Sequence, residues 1–324
     1  VIALALALAR AEEPVPGYVD ASDVGMATEL FVRLPVESAD LAATVFARFA
    51  DVEERANEWR PGSPIGLLNA SAGREPVALD GDLAALLRVS LDVAARTDGA
   101  FDPTWAALWG LWDFRADPPR VPAADDVATA ASHVGYARVE LREDGTSYLP
   151  DPDMRVGLGG VAKGWALDKA GATLREAGVS SFLLRVGGQV LVGDGPAGRR
   201  WRVGIRDPRG DDAFATLDVT NVSVSTSGDY ERFFVLDGVR YHHILDPRTG
   251  WPARGVTSAT VISSDATLAD ALSTALVVLD PRRAMAVVRD FGVEAVIVRD
   301  DGGVLATPGL AGRLTVIHPP GVGP

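Results

Sequence analysis

Between residues 182 and 263 the chain breaks into short β-branched runs separated by Gly, Pro, Asn and Asp, and this spacing constrains the fold more than any other feature. The runs cover residues 182–186, 201–205, 215–219, 223–226, 232–236, 240–245 and 257–263. The gaps between most of them are too short for the helical crossovers that parallel neighbours require. Asp237-Gly238 between two runs is a strong hairpin signal, so the strands are predicted to pair antiparallel. Elsewhere, apolar residues at helical spacing predict helices over 38–59, 80–97, 123–133, 161–176, 265–279 and 281–291. Helices and antiparallel strands interleaved in blocks imply an α+β fold. Residues 11–22, rich in Pro and charge, read as a linker, and no later stretch looks like one. Residues 23–324 therefore read as a single domain, without solenoid repeats.

The balance of 47% hydrophobic and 23% charged residues is that of a soluble globular chain. A formal charge of −13 gives no electrostatic support to binding of nucleic acid or anionic lipid. A phosphate-bearing ligand would need local positive features: a metal ion, a helix N-terminus, or one or two cations. There are no cysteines, which excludes disulfides, thiolate nucleophiles and Cys-type zinc sites. Four histidines leave almost no room for a three-His metal site. The opening run VIALALALA is too short to span a bilayer but matches the apolar region of an export signal, with Ala7-Leu8-Ala9 as a small-x-small cleavage pattern. Residues 1–22 are thus expected to be the remnant of an export signal and a linker. That would place the protein in the periplasm or on the outer face of the cytoplasmic membrane, with membrane contact only through an N-terminal anchor. The competing reading is a buried N-terminal strand or helix.

Three segments concentrate chemistry. In Gly157-Leu-Gly-Gly-Val-Ala-Lys-Gly164, glycines precede a helix whose first-turn amides can face an anion. The segment fits G-x-G-x-x-A, yet the following strand ends in Gly187-Gly188-Gln189 with no acid for a ribose, and no βαβ series follows, so a dinucleotide-binding Rossmann unit is not supported. A phosphate-binding Walker loop fails because Gly164 follows Lys163. A structural turn explains the glycines but not Lys163, a cation at the unfavourable end of a helix. In Tyr241–Gly250, alternation along a strand lets only one of His242 and His243 face a given site, beside a tight turn at 246–250. On the helix predicted over 265–279, Asp270 and Thr274 lie one turn apart. They make either an ordinary solvated stripe or a pair of hard oxygen ligands suited to Mg²⁺.

Together these segments resemble the ApbE family, the FAD:protein FMN transferases. The likeness extends from about Gly25 to the C-terminus and includes Ser225–Tyr230, Tyr241–Gly250, Gly159–Trp165 with Asp168, Thr97–Asp102 and Ala269–Thr274. It implies an architecture of the tunnelling-fold type, with antiparallel sheet and packed helices. FAD would be the donor substrate and Mg²⁺ the metal, held by the carbonyl of Gly160 and by Asp270 and Thr274, with Ser273 where some members place a further acid. Met26, Trp59, Ala100, Phe101, Asp102, Lys163 and Leu245 would touch the FAD, and His243 would be catalytic. The implied partner is an acceptor protein with a Thr or Ser flavinylation site, such as a subunit of a membrane redox complex. Three positions depart from the family pattern. Gly157 replaces an acid that contacts the FAD, Met26-Ala27-Thr28 replaces Met-Gly-Thr, and Gly187-Gly188-Gln189 replaces Gly-Gly-Asp. An FAD pyrophosphatase and a non-catalytic flavin-binding protein are the alternatives.

Overall fold

The computed structural model describes residues 14–323, so the apolar run behind the export expectation lies outside the described residues. Eight strands form the central sheet: β1 (Tyr18–Gly25), β2 (Thr28–Pro35), β3 (Leu183–Val186), β4 (Gln189–Val192), β5 (Val222–Gly228), β6 (Val256–Ser263), β7 (Glu294–Arg299) and β8 (Val304–Ala306). They lie side by side in chain order and every neighbouring pair is antiparallel. The sheet is thus one meander whose connections have grown. The longest, between β2 and β3, carries α1 (Ala42–Ala56), α2 (Pro64–Ala70), α3 (Gly81–Arg96), α4 (Ala124–Ser132) and α5 (Ala162–Glu176). The β6–β7 connection carries α6 (Ala266–Val278) and α7 (Pro281–Phe291).

Side chains alternate between two cores, as the period of a strand requires. Leu30, Val32, Leu184, Val261 and Ile297 join the helices in one core. Phe31, Leu183, Ile262, Val296 and Val298 join the other, beneath a three-stranded antiparallel sheet formed by Trp201–Arg206, Ala213–Val219 and Leu314–Val316. Burial on both faces explains why the runs read as continuous rather than alternating.

The predicted helices form with trimmed ends. The segment 38–59 begins as a 3₁₀ turn, Val36–Leu41, and α1 ends at Ala56, so Trp59 sits in a loop. The short α2 is not anticipated by periodicity. It is set by Ser63, whose side chain accepts from the Gly66 amide, and by Pro64 in the first turn. The Asp237-Gly238 hairpin forms as expected, joining Phe233–Leu236 to Val239–His242 with positive φ at both turn residues (51° and 75°).

One expectation changes, and one choice that the sequence left open is closed. From Tyr18 onward, the segment read as a linker is the edge strand β1, paired with β2 along its whole length. Its polar residues mark an edge, and Arg33 clamps Asp20 through two bonds of 2.6 and 2.8 Å. The turn joining it to β2 is Met26-Ala27, with φ of 51° and 59°, and contains no glycine to signal it. Second, α6 is no solvated helix. It is buried nearly all round, Asp270 and Ser273 included, and packs on α5, β5 and β6.

Candidate active site

Helices α5 and α6 meet closely because Gly164 has no side chain; a Cβ there would overlap the Ala266 carbonyl. Asp168, one turn further along α5, accepts from the Ala266 amide (3.0 Å), the Thr267 amide (2.8 Å) and the Thr267 hydroxyl (2.6 Å). It therefore fixes the start of α6, and burial pushes its carboxyl above the ordinary value against the pull of those donors. This packing delivers Asp270 to the first turn of α5. Its Oδ2 accepts from the Gly164 amide at 3.1 Å, and its Oδ1 lies 3.3 Å from Lys163 Nζ. Lys163 also donates to the Gly159 carbonyl at 3.0 Å.

Beside Asp270 runs a row of hydroxyls. Ser273 Oγ bonds to Ser225 and Ser227 of β5, at 3.2 and 2.9 Å, and donates to the Asp270 carbonyl. Among the described residues, Thr274 Oγ1 makes only long contacts, 3.4 Å to Ser227 Oγ and 3.4 Å to the Asp270 carbonyl, so its lone pairs are largely uncommitted. Gly160 lies against it: a Cβ on Gly160 would sit 3.6 Å from Thr274 Oγ1 and 3.2 Å from Phe101. A carboxylate only 3% exposed and a hydroxyl, with the Gly160 backbone beside them, are hard oxygen donors of the kind that fits Mg²⁺.

A cleft of about 2620 Å³ opens over this cluster, larger than the roughly 300–1000 Å³ typical of small-molecule pockets. Met26, Trp59, Ala100, Phe101, Asp102, Gly160, Lys163, His243, Leu245, Asp270 and Thr274 line it. Gly157 and Ser273 do not. The Gly157 amide donates to Pro103 and its carbonyl accepts from Trp105 Nε1, so this residue is committed to packing. Ser273 is fully buried, with its hydroxyl engaged as above. Asp102 lines the cleft while its carboxylate binds Thr104 and the Tyr136 amide, holding the loop after α3 in place; burial raises its pKa against those bonds.

Of the two adjacent histidines, His242 is buried and Nε2 bonds to the Ala253 carbonyl at 2.9 Å. His243 lies just past the strand end and faces the cleft. Burial, reinforced by Arg232, His242 and Lys163, draws its pKa down to about 3, and among the described residues its Nδ1 has no hydrogen-bond partner. The imidazole is therefore neutral at physiological pH. One rim of the cleft is aromatic. Trp59 and Trp109, 46% and 60% exposed, pack with ring centroids 3.7 Å apart and planes tilted by 32°, and Trp105 meets Trp59 edge-on.

Sequence reasoning named neither Ser227 nor Glu58 individually, yet both line the cleft. Ser227 lies in the Ser225–Tyr230 segment; nothing in the local pattern singles out Glu58. Among the described residues, His133, Asp151 and Asp153 also cluster closely enough to hold a metal. They lie outside the cleft, and Asp151 is already paired with His133 (2.9 Å) and Arg138 (3.0 Å).

Fold and cleft define the class: an α+β scaffold whose central cleft joins a pocket of hard oxygen donors to an aromatic rim. The chain belongs to the ApbE family, whose family model matches residues 25–297. It is 39% identical over 277 residues to the FAD:protein FMN transferase of Treponema pallidum, covering 80% of this chain and 76% of that protein. Over 286 residues it is 35% identical to the enzyme of that name from Rhodobacter capsulatus, covering 87% of this chain but only 55% of the relative's length. The solved structure of the ApbE protein of Thermotoga maritima superposes with a TM-score of 0.83 at 33% identity, covering 90% of this chain and 97% of that one.

Proposed function

We propose that this protein transfers the FMN half of FAD to a Thr or Ser hydroxyl of an acceptor protein and releases AMP. The observation that carries this reading is the placement of Asp270: a buried carboxylate beside Lys163, the α5 N-terminus and Thr274, in a cleft shared with a neutral histidine. Asp270, Thr274 and the Gly160 carbonyl would hold Mg²⁺, which supplies charge neutralisation at the pyrophosphate when bound. Lys163 and the first-turn amides of α5 add positive field toward the phosphates, so the acidic net charge of the chain does not bar an anionic ligand. His243, neutral before the reaction, is the proton acceptor for the attacking hydroxyl. Its oxygen forms a bond to the FMN phosphorus as the P–O bond to AMP breaks, and the leaving AMP keeps that electron pair. Its depressed pKa makes His243 a weak base, and an anionic nucleotide beside the ring would strengthen it.

The test is incubation with FAD, Mg²⁺ and an acceptor carrying a Thr or Ser site, following AMP release and acceptor mass. Gain of one FMN phosphoester per released AMP is expected. Absence of both mass gain and AMP release with the wild type would sink the reading.

A further inference from the structure

Glu58 follows the last turn of α1, one residue past its Asn57 cap. Its carboxylate lies across the Gly157–Gly160 turn: Oε1 is 3.1 Å from the position of a Cβ on Gly157 and 3.7 Å from that of a Cβ on Gly159. The residue lines the cleft between Asn57 and Trp59. Among the described residues it forms no ion pair; the lysine of the turn is drawn instead to Asp270 and the Gly159 carbonyl. A carboxylate in the wall of a binding cleft, uncompensated by a contacting cation, is placed to accept from a ligand.

We propose that Glu58 is a substrate-reading residue that accepts a hydrogen bond from a hydroxyl or ring N–H of the FAD. This inference rests on the flavin-transferase reading and adds to it a specificity residue contributed by α1 rather than by the turn. The sequence departure at position 157 gains a physical account. With no side chain at Gly157, the space beside the turn is open to a carboxylate from another element, and Glu58 reaches it. The sign of the charge decides which part of the ligand it meets. A carboxylate repels phosphate oxygens, so the pyrophosphate belongs on the Lys163 side and the donor-bearing sugar or ring at Glu58. Burial pushes the Glu58 carboxyl above its ordinary value, while the Leu158 and Gly159 amides and Lys163 draw it back. A ligand donor would add to that second group.

The test is equilibrium binding to Glu58→Gln and Glu58→Ala, in chelator so that no transfer occurs, using FAD, FMN and AMP separately and following flavin fluorescence or heat. A hydrogen bond to a charged group sets the expected loss of FAD affinity at about tenfold or more in both variants, with the thermal midpoint unchanged. Loss shared by FMN places the donor on the flavin half; loss shared by AMP places it on the adenosine half. With Mg²⁺ and acceptor, the defect should appear in KM for FAD rather than in kcat. FAD binding equal to wild type in either folded variant overturns the proposal. A wild type that neither binds nor cleaves FAD would instead overturn the functional reading beneath it.

Discussion

The two walls of the cleft are built on opposite principles. The α5–α6 wall is a buried polar structure in which Asp270, Asp168 and Ser273 each have several partners, on helices packed against the sheet. The aromatic rim is formed by loops, with Trp59 and Trp109 packed together in partial exposure to solvent. Chemistry at phosphorus requires groups held in fixed positions, and a packed scaffold supplies that. A flat ring needs a surface rather than a fixed point, and aromatic side chains on loops provide one. The wall proposed to do the chemistry should therefore tolerate substitution badly and the rim well.

Asp270→Asn should test that contrast most severely. It keeps the shape and removes the charge, so AMP release should fall by about 10³-fold or more, the several kcal/mol a metal contributes at a reacting phosphoryl group. Near-normal turnover would erase the distinction between the walls. Leu272, fully buried on α6, reports on the scaffold alone. Leu272→Ala should lower stability by about 2–5 kcal/mol in urea unfolding, and a loss under about 1 kcal/mol would mean that α6 is loosely packed.

His243 gives a smaller effect with a definite sign. The unfolded chain takes up a proton near the ordinary pKa of 6.5, while the folded ring resists until about 3. Between those values the unfolded state binds more protons, so this residue makes stability fall as pH drops. The raised carboxyls of Glu58, Asp102 and Asp168 act in the opposite sense. The contribution of His243 is thus the difference between wild type and His243→Gln unfolded at pH 7.5 and 4.5. The wild type should lose more stability; an equal loss would refute the depressed pKa. The smallest change belongs to the rim. Trp109→Ala should alter stability by about 0.5 kcal/mol or less, as for an exposed residue, and weaken FAD binding only modestly. A large drop in unfolding midpoint would make the rim part of the core.

The same contrast governs what the sequence discloses. Helix periodicity, the Asp237-Gly238 turn and the glycines before α5 are local signals, and the elements they predict are present. The burial of Asp270 is not local. A polar stripe on a solvated helix and a carboxylate sealed beneath a neighbouring helix share one pattern, and only the α5–α6 contact separates them. Edge strand β1 escaped because its turn uses Met26 and Ala27 at positive φ, where the common signal is glycine. Glu58 escaped for a related reason. Its segment looks helical to residue 59, and the early end of α1 at Ala56 turns the carboxylate toward a glycine loop far along the chain.

The chain-ordered sheet also has a kinetic consequence. Strand β2 ends at Pro35, and its partner β3 does not begin until Leu183, so that pairing closes the longest loop in the sheet. Closing it becomes easier once the intervening helices have folded and brought its ends together. The β1–β2 hairpin should then join late, bringing the Met26 turn to the cleft as one of its last parts. In pulse-labelled hydrogen exchange, β1 and β2 amides should gain protection after those of β5 and β6. The reverse order would show that the cleft is organised from its N-terminal side.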